Sequence, residues 1–586
     1  MNVLFEYDTP INHIYWLNYS PSVYFCVMVP GNVVVTDDNS NTGYYPYTND
    51  AHYKFSSAKV DSYDYAPMAT LLECLATDAS FFYDSATTRF YIHILDEEAL
   101  LSKSVVLGRA IGFSFNDVYY FNNFYYEPRL SSIPTMKWSI DPLFYGLHKY
   151  QPVNIGLINN DGKLDDWESR NLYGQAARIY VDEVLKYSGF IEDYNLSWSD
   201  LSVKLQDLRK SLSQPVATRT LKEADYPYLS EGYIDKIVPV AYGPCDGRKA
   251  LLLTGDYVGT YHTFLICDTS YNAVESLDAV YIDGVAATPV NVDLALGTFQ
   301  LTQAATSGNT DAVTCDFTIA IDDSVAIIKD LMWRYDGKPF IASFWDTVEV
   351  NAAAVNSQKD YLYIDDDSAL SKAIETMCID SSLRMFTHDD GLYTIRAYDA
   401  NRTPIKTIPK ADFKNDYSAT NNSSEYLTSC IIKYGYNADK DTWLTYEEKS
   451  YENAAYYKYK KLKSKTFETN LTDLAGATDK AQTIMDFSSN VQNIISRKLD
   501  WIHSDIEITD FIICDPITRI TTTEAPAIYE VLSVAKDPDK GEVTITMRYV
   551  KADPTINYVY SGLSYDGSDY ITDENDNVIQ LIEVPV

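Results

Sequence analysis

Paired cysteines are missing from this sequence. Its eight cysteines stand at 26, 74, 245, 267, 315, 378, 430 and 514, no two at CxxC spacing and none with a nearby histidine at ligand spacing. That scatter argues against zinc and reads as reduced, small hydrophobes made in a cytoplasm. Histidine is also scarce. The seven copies stand apart, with no HExxH or HxxxH, so no imidazole has a visible local partner to orient it. GxSxG, GxxxxGK[ST] and GxGxxG are absent too, which argues against the common nucleophile and nucleotide sites.

Positive charge is short as well. Against 83 Asp+Glu there are 47 Lys+Arg, a net charge of −36. Such a chain repels phosphate backbones and anionic lipid surfaces, which disfavours DNA binding and membrane-surface binding. Long apolar runs are lacking. Thr9–Thr36 carries no charged residue, but Pro10, Pro21, Pro30 and Gly31 break any helix there, so strands such as 23–29 are expected and no spanning segment. The start, MNVLFEYDTP, has neither the basic residues nor the apolar run of a signal peptide.

What is abundant is tyrosine, with 50 copies against 22 Phe and 8 Trp. Tyr packs its ring on a pleated surface while its hydroxyl reaches a wet edge, and it is enriched at protein interfaces. Short strand-like runs dominate the chain, among them RFYIHIL, AVYIDGV, LYTIRAY, CIIKYGY and EVTITMRYV, punctuated by Gly, Pro, Asn and Asp. Helices are few. Ser368–Ile379 places Leu370, Ala373, Ile374, Met377 and Cys378 on one face, with Ser368 as N-cap. Leu471–Phe487 does the same with Leu474, Ala477, Ala481, Ile484 and Met485, and a short helical turn fits Ser324–Trp333.

The expected fold is therefore mainly β with a minor α/β insertion, in several domains, since 586 residues exceed one core. The divisions expected are 1–105 as an accessory β domain, 106–240 as a first β-barrel, 241–330 as a β-rich insertion, 331–420 as an α/β domain, and 421–586 as a second barrel with a C-terminal arm.

Several constellations invite a chemical reading. Asn159–Glu168, NNDGKLDDWE, resembles a calcium loop around Gly162, but Leu157 would occupy the first ligand position. A hairpin through an Asn-Asp-Gly turn is the plainer reading. The acidic runs Asp365–Asp367, Glu97–Glu98 and Asp322–Asp323 are expected by chance among 83 acids, and the first simply charges a helix N-terminus. The eight tryptophans (16, 138, 167, 198, 333, 345, 443 and 501) form no cluster, so core packing is expected of each. One basic island stands out. In Tyr456–Lys465, YYKYKKLKSK, Lys458, Lys460, Lys461, Lys463 and Lys465 suit either an electrostatic contact between subunits or the solvated face of an edge strand. No catalytic, cofactor-binding or metal residue is singled out.

The ordered series of segments resembles the phage tail hub and tail-tip structural proteins. The series opens with Val153–Asp165 (VNIGLINNDGKLD), Gly174–Val181 (GQAARIYV), Tyr187–Asp193 (YSGFIED) and Leu201–Leu212 (LSVKLQDLRKSL). It continues with Ile237–Gly243 (IVPVAYG), Val280–Gly284 (VYIDG), Val325–Gly337 (VAIIKDLMWRYDG) and Asp389–Tyr398 (DDGLYTIRAY). It closes with Ser424–Tyr434, Leu471–Phe487, Glu507–Pro516 and Ala527–Val550, so the likeness spans about residues 105–550. Each motif is short. Thr509 stands where the family's turn has glycine, which implies a different turn there.

The resemblance implies a non-enzymatic, structural subunit of a phage-type tail. It would form a self-associated ring, commonly a trimer, that caps the tail tube as a baseplate hub with barrels like those of the tube. Its implied partners are the tube or distal tail protein, the central tip or spike, and the tape-measure protein. DNA would meet it only in transit, and no membrane contact is expected in the resting virion. No cofactor is implied. The alternative reading is a tail-tip protein that binds or cleaves glycans.

Overall fold

In the computed structural model, residues 124–552 are described apart from breaks, the longest at 166–171, 450–461 and 515–526. Upstream only strands between residues 3 and 121 are described, and downstream only three short strands between 564 and 579. The chain is mainly β and multi-sheet.

A closed barrel organises the first half. Going round it, Phe124–Leu130 pairs with Val153–Ile158, then come Asp200–Asp207, Val184–Leu196, Ala176–Val181, Val3–Ile11 and Val105–Phe115, which pairs back with Phe124–Leu130. The sequence period is 2, and it is used inward. Val153, Ile155 and Leu157 are buried on one strand, Ala177, Ile179 and Val181 on another, and Leu201, Val203 and Leu205 on a third. Each of the larger of these side chains contributes on the order of 1.5–3 kcal/mol by leaving water. The Asn-Asp-Gly segment does not make a hairpin with the strand that follows it. Val153–Ile158 pairs instead with Asp200–Asp207 and Phe124–Leu130, because its buried face completes the barrel wall.

The C-terminal sheet is built from distant pieces. Its spine is the hairpin Ala527–Asp537 and Glu542–Ala552, extended by Gln492–Asp500 and Phe413–Asn422. On the other side, Ala527–Asp537 pairs with Phe511–Cys514 at one end and with Met136–Ser139 at the other. Met136–Ser139 lies between two strands of the barrel in sequence, so the chain leaves the barrel, adds a strand to a sheet about 400 residues ahead (Met136 stands opposite Lys536), and returns. One contiguous core cluster accordingly runs from Phe113 and Val153 in the barrel to Val534 and Met547 in the sheet.

Between the two lie the middle β segments and an α/β layer. Strand Val240–Lys249 serves both. Val240–Tyr242 pair with Leu362–Ile364, and from Gly243 onward the strand pairs with Val313–Ile319. Gly243 sits at φ +64, and a Cβ there would stand 2.4 Å from the Asp360 carbonyl oxygen, so the crossover requires glycine. The α/β layer holds helices Ser324–Asp336, Thr347–Val355 and Leu370–Asp380. The first is longer than the turn expected, because Asp323 caps its start through Ala326 N–H at 2.9 Å and Gly337 ends it at φ +66. The third starts at Leu370 rather than Ser368, with Ala369 in the N-cap position. The Ser368 carbonyl accepts from Val216 N–H and Ala369 bridges Pro215, which holds that stretch extended. Helix Leu474–Ser488 packs Ala477, Ala481, Ile484 and Met485 against strand Ser429–Asn437, leaving Leu474 exposed.

Candidate functional site: the polar junction between barrel and sheet

Where barrel, α/β layer and C-terminal sheet meet, the packing turns ionic. Asp389, in the turn between strands Leu383–Thr387 and Tyr393–Ala397, places one carboxylate oxygen 3.4 Å from Lys186 Nζ and 2.5 Å from Lys536 Nζ. Lys186 comes from the barrel strand Val184–Leu196 and also donates to the Ser504 carbonyl at 3.0 Å. Lys536 comes from the C-terminal sheet and lies over the Trp138 ring. Burial pushes the Asp389 carboxyl up to about 6, although both lysines favour its charge. Burial likewise lowers Lys186.

The same turn is held from below by Glu507. It accepts Asp389 N–H at 2.8 Å and pairs with the His388 ring, whose other nitrogen is 3.5 Å from Asp346. Burial alone would raise Glu507, but His388 and Lys536 bring it down to about 2. Burial is the largest influence on His388 and opposes its charge, but the hydrogen bond and the charge of Glu507 together outweigh it, leaving His388 raised.

Beside this lies the turn for which Thr509 stands in place of glycine. The turn keeps a glycine-like backbone: Thr509 adopts φ +68, an uncommon state for a β-branched residue. Its hydroxyl accepts from Arg396 at 2.7 Å, its N–H donates to the Val531 carbonyl at 2.7 Å, and Asp510 takes both Arg396 at 3.1 Å and Glu507 N–H at 2.8 Å. A further buried group sits nearby, where Glu530 receives Arg384 and, at 2.6 Å, Arg548, all three within a few per cent of full burial. Two guanidiniums share one buried carboxylate, so donors and acceptor satisfy one another out of water.

Chemically, these groups hold elements together. Three histidines that have no partner in local sequence find carboxylates across the fold: His388 with Glu507, His503 with Asp412 at 2.9 Å, and His148 with Asp207 at 3.1 Å. Sequence spacing could not reveal these pairs, since their members stand tens to more than a hundred residues apart. Among the described residues no three of His, Cys, Asp and Glu gather as a metal set. In the calcium-like segment, Asn159 is buried and bonded to Asp165 and Leu164 N–H, and the Asp161 carboxylate is taken by Arg129 at 2.7 and 2.8 Å. Its Glu168 lies outside the described residues, as do Glu97–Glu98.

Of the other acids, Asp323 caps a helix, Asp322 pairs with Lys359 at 2.7 Å, and Asp366 accepts Ser368 N–H at 3.0 Å. In the basic island Lys458, Lys460 and Lys461 lie outside the described residues. Lys463 bonds through its backbone to Thr428, and Lys465 is exposed on strand Ser464–Glu468, its ammonium over the Phe467 ring. The tryptophans divide. Trp345 and Trp138 are core, whereas Trp198 is 94% exposed at the turn before Asp200–Asp207, contrary to the expectation of core packing, because a hairpin tip has nothing above it to pack on.

No protein-family model matches the chain, and no curated protein does. Among solved structures it is similar to a tail protein from Neisseria meningitidis, with 9% identity, a TM-score of 0.36, and coverage of 72% of this chain and 95% of that one. It is also similar to a 43 kDa prophage tail protein from Shewanella oneidensis (10%, 0.36, 74% and 96%) and to a prophage tail protein from Listeria monocytogenes (7%, 0.33, 75% and 90%).

Proposed function

We propose that this chain is a structural, non-enzymatic subunit of a phage or phage-like tail. In this reading it forms the hub at the distal end of the tail tube, as a self-associated ring, commonly of three copies, that links the tube to the tip. The observation that carries the reading is the stitching of the barrel to the C-terminal sheet by strand Met136–Ser139, reinforced by the Lys186–Asp389–Lys536 bridge. Two β modules joined through a shared core and a buried ionic seam make a stiff body, which suits a part that transmits force rather than one that closes on a substrate.

The ordered resemblance over about residues 105–550 supports the same reading, as do the excess of acidic residues and the abundance of tyrosine. On this reading its partners are further copies of itself, the tube or distal tail protein, the tip or spike, and the tape-measure protein. DNA passes an acidic wall without adhering. Light scattering on the purified chain at two salt concentrations, with and without tail-tube protein, tests it. A trimer or larger ring, or stepwise assembly on the tube protein, supports the hub. A strict monomer that ignores the tube protein at both salts refutes it.

A further inference from the structure

A cleft of about 370 Å³ opens on the α/β layer, meeting the junction described above at Tyr398, whose ring lies under Arg384 and Arg548. Its lining comes from four elements: Asn356 and Gln358 just past helix Thr347–Val355, Ser381 and Ser382 just past helix Leu370–Asp380, Tyr398 and Asp399 past strand Tyr393–Ala397, and Asp479 and Thr483 one turn apart on helix Leu474–Ser488. No Lys, Arg or His lines it. Two helices end at this cleft, and helix C-termini carry partial negative charge. With both Asp399 and Asp479 in its lining, the cleft disfavours anions and attracts positive charge.

The carboxylate pair alone would be a surface accident in so acidic a chain. A second feature marks the cleft as a site. Ser382 is 6% exposed, and its hydroxyl has no hydrogen-bond partner among the described residues. A buried hydroxyl left unmatched costs about 1–3 kcal/mol unless something reaches it. The neighbouring polar groups are already engaged. Gln358 donates to the Asn356 carbonyl and to Asp479, both at 3.2 Å, and Ser381 bonds to Ser324 at 2.6 Å. Asp479 spends one carboxylate oxygen on Gln358 and Asp399 one on Asn401 N–H at 2.8 Å, and the remaining carboxylate oxygens suit a ligand that brings N–H donors. The volume, at the low end of the range for organic ligands, exceeds what one bare metal ion fills.

We propose that this cleft binds alkylammonium groups, its Asp399 and Asp479 carboxylates pairing with the charge and the Ser382 hydroxyl accepting an ammonium N–H. Two sources carry that chemistry: a free polyamine, or the lysine side chains of the Tyr456–Lys465 stretch of a second copy of this chain, which would make the cleft a contact within the assembly proposed above. The second source rests on that proposal, and the first does not.

The test is titration calorimetry of the full chain with spermidine and, separately, with a synthetic peptide YYKYKKLKSK. The variants are Asp399→Asn/Asp479→Asn, Ser382→Ala, and a control, Glu223→Gln/Asp225→Asn, which removes the same charge from exposed acids elsewhere. Saturable binding is expected for at least one probe, weakened roughly tenfold or more in the double cleft variant, a few-fold in Ser382→Ala, and unchanged in the control. Binding of the peptide alone assigns the ligand to the chain itself, and binding of spermidine assigns it to a free polyamine. Should the double variant fail to fold, Thr483→Lys, which sets an ammonium in the cleft, is expected to abolish binding instead. Absence of binding by both probes, equal weakening in the control, or saturable binding of calcium chloride alone overturns the proposal. A chain that remains monomeric but binds spermidine would sink the ring and leave the cleft standing.

Discussion

The rings of Trp138 and Tyr187 pack 6.2 Å apart across the seam between the C-terminal sheet and the barrel. Trp138 belongs to the strand that leaves the barrel to join the sheet, and Tyr187 to the barrel wall. Lys536 lies over Trp138, and Lys186, next to Tyr187, shares Asp389 with Lys536, so the apolar contact and the ionic one hold the same seam.

Asp389→Asn is expected to destabilise the chain by about 3–5 kcal/mol, because it takes from two lysines in a water-poor seam the carboxylate they share. Lys186→Met alone should cost less, since Asp389 keeps Lys536 at 2.5 Å. Urea unfolding followed by tryptophan fluorescence measures both, and equal costs would argue against the shared bridge.

A second prediction concerns pH. Asp380 is buried and raised to about 7 by desolvation, against the pull of Lys480, and Asp360 beside it is also raised by desolvation, with Asp380 adding to the shift. A carboxyl whose folded pKa exceeds its unfolded value stabilises most below the unfolded value, about 4, and loses that stabilisation as pH rises through 7. Stability at this site therefore falls between pH 4 and 7. Comparing urea midpoints at pH 5 and pH 7, Asp380→Asn is expected to shrink the difference seen in the natural chain. An unchanged difference would show that Asp380 titrates normally.

The Thr509 turn gives opposite expectations for two substitutions. Thr509→Val keeps the strained φ but takes an acceptor from buried Arg396, and is expected to cost about 1–3 kcal/mol. Thr509→Gly relieves the strain while losing the same bond, and is expected to stay within about 1 kcal/mol of the natural chain. Thermal melts of the two variants side by side decide between them.

Cys245, Cys267, Cys315, Cys378, Cys430 and Cys514 are free and buried, and burial pushes Cys245 and Cys430 up to about 12. The thiolate is the reactive form, so iodoacetamide at mild alkaline pH is expected to leave all six unmodified in the folded chain and to label them in urea. Peptide mass mapping reads the sites. Modification of Cys245 without urea would mean that the middle β segments open locally.

Much of this was legible from periodicity. The alternation in VNIGLI and AARIYV reports the barrel wall, and the helical phase in Leu370–Cys378 reports the buried face of its helix. Helix boundaries were less legible, because Ser368 is drawn into a bridge with a segment 150 residues earlier, a contact that no local signal carries. Helix Thr347–Val355 went unread, since its Val and Ala residues point all round and give no phase. The ionic seam could not be read at all. Lys186, Asp389 and Lys536 are ordinary charged residues until the fold brings them together.

Strand Met136–Ser139 also sets a timetable. A ribosome making this chain releases residues 136–139 long before it releases 533–536, so that strand must wait, unpaired, for its neighbour. During that interval an exposed strand edge can pair with the wrong chain. The exposure ends only once residues 533–536 emerge, and a chain cut short before Ala527 never resolves it.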